Sequence, residues 1–530
     1  MVIFILAILI SLPIIWHFLR PSQRTTSKSP PEPSGAWPLI GHLPLLAGAK
    51  PPHLTLGELA DKYGPIFTIK LGVHQTLVIS NSEMAKECLS TNDKAFSSRP
   101  KSLANEILGY NYAMVGFTTY GPYWRQMRKV IALQLLSSYR LEKLRHVRET
   151  EVTEAVRDLY NKWIKYKDPV SHKLPVDLKG FFYNITMNTI MKVIVGKRYV
   201  EYEGKGEDDQ RGVSRSWREA FSEFMELSGK ISVSDSLPYL RFLDLDGTER
   251  AMKRVMEEFD HVLQGWLDEH KRKAKMASDG AKKLGEVDDL DFMDLLVSNL
   301  DGDVLQFSNH SADNINKATC LAMLLAASDT TAITLTWTIS LLLNNPNTLK
   351  RVQDELDARV DRNRKVEESD IKNLDYLQAV VKESFRLYPA APLAIPHESM
   401  EDCIVGGYHV PAGTRLFVNL SKIHRDPSVW ENPDEFRPER FLTTHRHVDV
   451  KGQSFELLPF GGGRRICPGV TFALQVLHLT LSNFLHGFEI ETPNGTAVDM
   501  TESPGLTNMK SSPLDVLLKP RLEAHLYRGA

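Results

Sequence analysis

The sequence predicts a mainly α-helical protein with small β-sheets and a single N-terminal transmembrane anchor. Three observations carry this. Apolar residues recur at helical spacing along most of the chain, as in residues 140–163, 250–275, 347–360 and 470–486. β-branched runs are few and short: 66–70, 76–79 and 414–419, the last following a turn at Pro411-Ala412-Gly413. Residues 2–19 carry no charge, and at about 1.5 Å per residue they are just long enough for about 30 Å of hydrocarbon.

Composition narrows the class. The 530 residues are 42% hydrophobic and 25% charged, which excludes disordered, collagen-like and coiled-coil chains. A net charge of -2, from 64 basic and 66 acidic side chains, gives no field for nucleic acid, so no nucleic-acid partner is expected. Cys88, Cys320, Cys403 and Cys467 form no C-x-x-C pair, against a disulfide framework or zinc ribbon and in favour of a reducing compartment.

In chain order, residues 1–20 read as the anchor. Trp16 and His17 sit near its end, Arg20, Arg24 and Lys28 follow, and no basic residue precedes it. The positive-inside rule therefore puts the remainder on the cytosolic side. A cleaved signal peptide would need a basic n-region and a small-residue site before Arg20, and neither is present. Residues 21–36, rich in Ser and Pro, read as a semi-rigid strut off the membrane. The main domain, 37–530, has no repeat or further composition break, and its polar stretch 273–291 reads as an exposed loop between helices. Residues 318–343 hold one charge, Asp329. Their length suits a second span, but Ser328, Asp329, Thr330 and Thr331 at the middle would be heavily penalised in lipid, so a helix through a large core is expected.

The strongest chemical signal is Phe460-Gly461-Gly462-Gly463-Arg464-Arg465-Ile466-Cys467-Pro468-Gly469, followed by an apolar helix. Glycines on both sides let backbone pass close to something large and flat. The single cysteine is presented just before a helix start, where aligned amides favour a thiolate suited to ligating iron. This F-x-x-G-x-R-x-C-x-G spacing resembles the haem loop of cytochrome P450 enzymes at every position. Further motifs match that family in the right order. Trp124-Arg125-Gln126-Met127-Arg128 resembles its W-x-x-x-R helix, with Trp124 and Arg128 on one face. Glu383-Ser384-Phe385-Arg386 resembles its E-x-x-R helix, and Phe436-Arg437-Pro438-Glu439-Arg440-Phe441 resembles its F-x-P-E-R-F segment.

The resemblance implies the cytochrome P450 fold, with 37–530 as its catalytic domain and haem b as cofactor. It makes Cys467 the axial iron ligand, within a loop shaped by Phe460, Gly463 and Gly469. Trp124, Arg128, His397 and Arg465 become partners of the haem propionates, and Glu383, Arg386 and Arg440 a network locking the segment beneath the haem. Ala326-Ala327-Ser328-Asp329-Thr330-Thr331 resembles the family's oxygen-activating helix segment. Asp329 and Thr330 then deliver protons through ordered water where the helix distorts locally. Ala327 departs from the family's commoner glycine and narrows the oxygen groove.

No strand-linked G-x-G-x-x-G and no Walker A loop occurs, so electrons must come from a separate protein. The resemblance implies NADPH–cytochrome P450 reductase, with NADPH used only indirectly. It covers residues 30–520 and is nearest to plant microsomal enzymes of specialised metabolism, which places the chain in the endoplasmic reticulum membrane. The implied substrate is a hydrophobic small molecule, an alkaloid first, with terpenoids and phenolics as alternatives. It would be faced by residues 101–119, 221–234, the central helix, 391–395 and the region near Leu506. Two other readings are a reductase-independent haem-thiolate isomerase or dehydratase and a non-catalytic membrane haem protein; the intact cysteine loop and the Asp329-Thr330 pair speak against both.

Overall fold

The computed structural model describes residues 28–199, 217–278, 290–300 and 302–528. The expected anchor and the first part of the strut lie outside these, as do residues 279–289 of the expected polar loop.

Among the described residues eleven helices have eight residues or more. They are α1 (Pro52–Tyr63), α2 (Pro122–Val130), α3 (Arg145–Tyr166), α4 (Leu178–Val195), α5 (Trp217–Gly229), α6 (Thr248–Ser278), α7 (Phe292–Asn299), α8 (Ala312–Asn344), α9 (Pro346–Val360), α10 (Asp375–Leu387) and α11 (Val470–Gly487). Three small sheets lie at the margins. β1 (Ile66–Leu71) and β2 (His74–Ile79) form a hairpin in register Ile66↔Ile79. β3 (Leu174–Asp177) belongs to a second sheet, described below. β4 (His397–Glu398), β5 (Cys403–Val405), β6 (Tyr408–Val410) and β7 (Arg415–Val418) follow α10. The first sheet has order β1-β2-β7-β4, with β2 and β7 parallel, and β5 and β6 pair alone. β8 (Phe488–Glu491) and β9 (Asp515–Pro520) complete the second sheet, in order β3-β9-β8.

Helix α8 organises the interior. Ser311 caps it by accepting the Asn314 N–H at 3.2 Å. It is long and apolar enough to cross a membrane, yet most of its apolar stretch is buried inside the protein, as a core helix requires. Ala318 to Leu325 pack with α4, α6 and α7, whereas Ala332 to Leu342 pack with α9 and α10. Helix α11 joins both groups, through Val476 in one and Leu477 and Leu481 in the other.

Three expectations need correction. The periodic stretch 140–163 is two helices: Ser137 caps a short one (Ser138–Lys143), and a ψ of 3° at Leu144 separates it from α3. Leu141, Leu144 and Val147 enter one apolar cluster across that bend. Helix α6 runs on to Ser278, into the stretch read as loop, supported by the Lys273–Glu269 ion pair at 3.6 Å. Residues 28–36 are no free strut. Pro30 and Pro33 are buried, Thr68 N–H donates to the Pro31 carbonyl at 2.8 Å, and the His42 ring bonds the Pro33 carbonyl at 2.9 Å.

One buried cluster fixes the segment between β7 and the cysteine loop. Glu383 and Arg386, at i and i+3 on α10, are each 0% exposed and joined by two hydrogen bonds of 2.8 and 2.9 Å. Arg440 donates to the same carboxylate at 3.0 Å, as does Arg437 N–H at 2.9 Å. Arg386 also donates to the carbonyls of His424 and Pro433, at 2.9 and 2.6 Å. Burial and nearby arginines push the His424 ring down to about 3, so it stays neutral, and its Nε2 accepts the Leu458 N–H at 2.9 Å.

Because removing one member of a buried ionic cluster strands the others, Glu383→Gln is expected to lower unfolding stability by about 3–5 kcal/mol. Breaking the exposed Lys350–Asp354 pair with Lys350→Ala should change it by no more than about 0.5 kcal/mol. Urea titration of the two variants checks the contrast.

Candidate active site

The cysteine loop is shaped by what presses on it. Gly463 lies at φ 62°, and a Cβ there would meet the Leu89 carbonyl at 2.4 Å and Asp93 Oδ1 at 2.5 Å, so only glycine fits. Asp93 holds this end of the loop, accepting Arg464 N–H at 3.0 Å and the Arg464 guanidinium at 2.6 Å. The Phe460 carbonyl accepts Cys467 N–H at 3.0 Å, and the Phe460 ring packs edge-on against Phe385 of α10 at 5.2 Å. Gly469, the residue before α11, donates its N–H to Cys467 Sγ at 3.3 Å. Burial pushes the Cys467 thiol up, opposed by that N–H and by the Arg128 guanidinium. A bound iron ion would overwhelm the burial penalty, since a coordinating thiol is deprotonated outright.

On and beside the loop is a group of basic side chains without anions. Arg465 spends its donors on the carbonyls of Ser97 and Thr118, at 2.6 and 2.7 Å, and stacks on Trp124 at 4.4 Å. Arg128 donates to the Ile466 carbonyl at 2.6 Å. Burial and Arg128 push Arg465 down to about 9. His397, placed by the β4–β7 pairing opposite Leu416, is buried, with Nδ1 2.7 Å from the Phe96 carbonyl. Burial and Arg99 push its ring well below the ordinary histidine value. It is therefore neutral here, with the Nδ1 proton on Phe96, and its Nε2 can hold a propionate only if the ring or the acid carries an added proton.

Sequence reasoning missed Arg99. It is 5% exposed and donates to the carbonyls of Ile395, Pro396 and Gly116, at 2.6, 2.9 and 3.2 Å. Burial and Arg465 push it well below the usual arginine range. Its neighbours Ser97-Ser98-Arg99-Pro100 carry no motif that separates it from other surface arginines, and only the fold brings it to His397. None of Arg99, Arg128, Arg465 and His397 has a carboxylate partner among the described residues. A flat macrocycle bearing two carboxylates supplies the missing anions, so these residues fit haem b.

Asp329 and Thr330 diverge. Thr330 Oγ donates to the Ala326 carbonyl at 2.6 Å, and Ser328 Oγ to the Leu324 carbonyl at 2.6 Å. Helix α8 is continuous α-helix through this point, which corrects the expected local distortion. With Ala rather than Gly at 327 the backbone keeps its ladder, and the hydroxyls fold back onto it. The π-turns that do occur lie elsewhere, at Glu87–Thr91 and, after α2, at Ile131–Leu135. Asp329, about 100° from Thr330 around the helix, opens instead onto a cavity of about 230 Å³. Lys179, Arg218, Phe221, Met225, Ile333 and Met509 are among its walls, so the expected substrate-facing stretches near 221, on α8 and near Leu506 do meet. One oxygen of Asp329 is buried without a hydrogen-bond partner. Burial pushes its carboxyl up to about 6, offset in part by Thr507 and Lys179.

A mostly helical protein with this loop and this anion-deficient cradle belongs to the haem-dependent monooxygenase class. The chain belongs to the cytochrome P450 family, whose model matches residues 30–518. It is 49% identical to demethylepipodophyllotoxin synthase of Sinopodophyllum hexandrum, over 99% of this chain and 98% of that protein. It is likewise 49% identical to strychnine-10-hydroxylase of Strychnos nux-vomica, over 98% and 97%. Flavonoid-6-hydroxylase of Mentha piperita is 47% identical over 98% and 97%. Among solved structures, a zebra fish cytochrome P450 with abiraterone aligns at TM-score 0.69 and 28% identity, covering 89% of this chain and 99% of that one. The protein is thus an NADPH-dependent P450 oxidoreductase of plant secondary metabolism that uses haem b and receives NADPH electrons indirectly.

If the three arginines hold the propionates, Arg99→Met should weaken haem retention about as much as Arg465→Met, at least about tenfold each. Haem transfer to apomyoglobin, followed at the Soret band, checks this.

Proposed function

We propose that this chain is a monooxygenase anchored in the endoplasmic reticulum membrane, its catalytic domain in the cytosol. It inserts one oxygen atom into a hydrophobic plant specialised metabolite: RH + O₂ + NADPH + H⁺ → ROH + NADP⁺ + H₂O. Relatives named for strychnine and for flavonoids support a rigid alkaloid, or otherwise a phenolic, as substrate. The observation that carries the reading is Cys467, presented by a glycine loop beside arginines that lack anions. Cys467 would hold the haem iron, with Phe460, Gly463 and Gly469 shaping its loop. Trp124, Arg128, Arg465, His397 and Arg99 would hold the propionates.

The bound haem supplies oxygen activation, favoured by electron donation from the thiolate. The protein's own part is to position substrate and to move protons. Asp329, with a buried carboxyl titrating near 6, takes a proton from the polar side of its cavity; Thr330, whose hydroxyl proton lies on the Ala326 carbonyl, offers its oxygen as acceptor. Both must reorient for a relay between them, since they leave the helix in different directions. NADPH–cytochrome P450 reductase supplies the electrons.

Reduced, carbon-monoxide-treated protein should show the thiolate-type Soret band, and Cys467→Ser should abolish it; a wild-type protein without that band refutes the ligation. Substrate oxidation should require both NADPH and the reductase. Asp329 is protonated below about pH 6 and ionised above it, so product formed per NADPH consumed should bend near that pH. Asp329→Asn should remove the bend and lower product yield by about a hundredfold, with the Soret band retained. Of the N-x-[S/T] sites, Asn419 is buried, but Asn309 and Asn494 are exposed, and a glycan on either would overturn the cytosolic topology.

A further inference from the structure

His270 lies in the last third of α6 and is 0% exposed. Its Nδ1 sits 2.7 Å from the carbonyl of Trp266, one turn back. A carbonyl can only accept, so Nδ1 carries the proton of the neutral ring and Nε2 presents a lone pair. That lone pair meets two more acceptors. Asp291 Oδ2 lies 2.9 Å from Nε2, and Asp294 Oδ1 lies 3.9 Å from it.

Both carboxylates belong to the start of α7. Asp291 caps the helix: its Oδ1 accepts the Asp294 N–H at 2.9 Å, which leaves Oδ2 for the ring. The two side chains are only 11% and 17% exposed. Among the described residues, neither forms an ion pair with a lysine or arginine. Lys271 and Lys273 of α6 pair with Asp313 and Glu269, at 2.6 and 3.6 Å, and Lys273 acts on Asp294 only at longer range.

A proton on Nε2 completes only half of this arrangement. It bonds Asp291, but Asp294 stays beyond hydrogen-bond reach of the ring, with the Asp291 backbone N–H as the one donor beside it among the described residues. Burial lowers the His270 ring, but Asp291 more than restores it, while burial and the Asp291 charge push the Asp294 carboxyl up. Both directions mark negative charge short of partners. One ion bound to all three atoms completes both acids. Ligand atoms about 2.0–2.1 Å from a tetrahedral ion lie about 3.3 Å from one another. The three atoms here all fall within 4.8 Å of one another, and 2.9 and 3.9 Å straddle that spacing. The Nδ1 bond to a carbonyl and the Asp291 bond to an amide are the outer contacts that orient metal ligands. One imidazole with two carboxylates suits zinc, whereas calcium and magnesium take oxygen ligands.

We propose that His270 Nε2, Asp291 Oδ2 and Asp294 Oδ1 form a zinc site that clamps α6 to the first turn of α7, with water completing the coordination at the partly exposed acids. The clamp matters because α7 carries Phe292, Met293 and Leu296 into the apolar cluster shared with α4 and α8. None of the three ligands lines the cavity beside Asp329, and the site stands independently of the haem reading.

Metal analysis of the purified haem-loaded full chain tests it. The protein is stripped with EDTA, equilibrated with zinc chloride, desalted and assayed for zinc and iron. Wild type should carry one more zinc per haem iron than Asp294→Asn, which keeps the side chain's size and removes its charge. Losing a ligand should weaken zinc binding at least about a hundredfold, since losing an outer contact alone costs up to about that much. Zinc held by other surface histidines appears in both proteins and cancels. Zinc should also raise the unfolding temperature of wild type by about 2 °C and leave that of Asp294→Asn unmoved, with the Soret band the same in both. His270→Gln should lose the zinc as well, and Asp294→Asn decides the matter if the buried variant does not fold. Equal zinc in folded wild type and Asp294→Asn, the result if a protonated ring alone joins the two acids, overturns the proposal.

Discussion

Presenting one sulfur atom at a helix start is useful only if the loop that carries it cannot move, and the immobility traces to a single buried carboxylate. Glu383 satisfies two guanidinium groups and a backbone N–H at once, in a site without solvent. Those guanidiniums spend their other donors on carbonyls between His424 and Glu435, pinning a stretch that has little secondary structure of its own. The neutral His424 ring passes the constraint to Leu458, two residues before Phe460, whose carbonyl receives Cys467 N–H. A segment with almost no helix or strand is thus held by side chains in place of a backbone ladder. Such a buried ionic cluster contributes little net stability compared with apolar packing, and its value lies in allowing one arrangement only.

The cation cradle follows the opposite logic. A buried carboxylate with partners is complete in itself, whereas Arg99, Arg128 and Arg465 sit among carbonyls that orient them without neutralising them. Carbonyl partners satisfy donor geometry yet leave net positive charge in a low dielectric, which burial and mutual repulsion both oppose. The downward shifts of Arg99 and Arg465 express this penalty. The charge that relieves it belongs to the cofactor, so haem binding and local stability of this region are coupled through the propionates.

Much of this was legible in the sequence, for identifiable reasons. The presence and period of α6, α8, α9 and α11 could be read because their apolar faces meet large clusters, where patterning must match the fold. The Glu383–Arg386–Arg440 cluster could be read because i,i+3 spacing on a helix fixes one pair and a motif supplies the third member. What escaped was set by tertiary contacts. The break at Leu144 falls in a stretch, 137–149, with no glycine or proline to mark it, so no local signal announces it. The docking of Pro30 and Pro33 depends on β1 offering Thr68 and on His42 lying nearby. Arg99 escaped because its role is defined by the two residues before β4 and by Gly116, the former remote in sequence.

Helix α8 shows why local chemistry and global packing cannot be separated here. Its side chains serve both apolar clusters and the cavity, so its backbone is clamped along most of its length. A clamped helix does not easily open a carbonyl to water, and each of Ser328, Thr330, Thr334, Thr336, Thr338 and Ser340 instead donates its hydroxyl to the carbonyl four residues back. Polar groups thereby survive in a core helix without breaking it. Asp329 is the exception: a carboxylate cannot donate to its own helix, so it is left with one bare oxygen in the cavity. The feature that makes the helix tolerable as core, hydroxyls folded onto their own backbone, is the same one that singles out the acid at its middle as the group free to exchange protons.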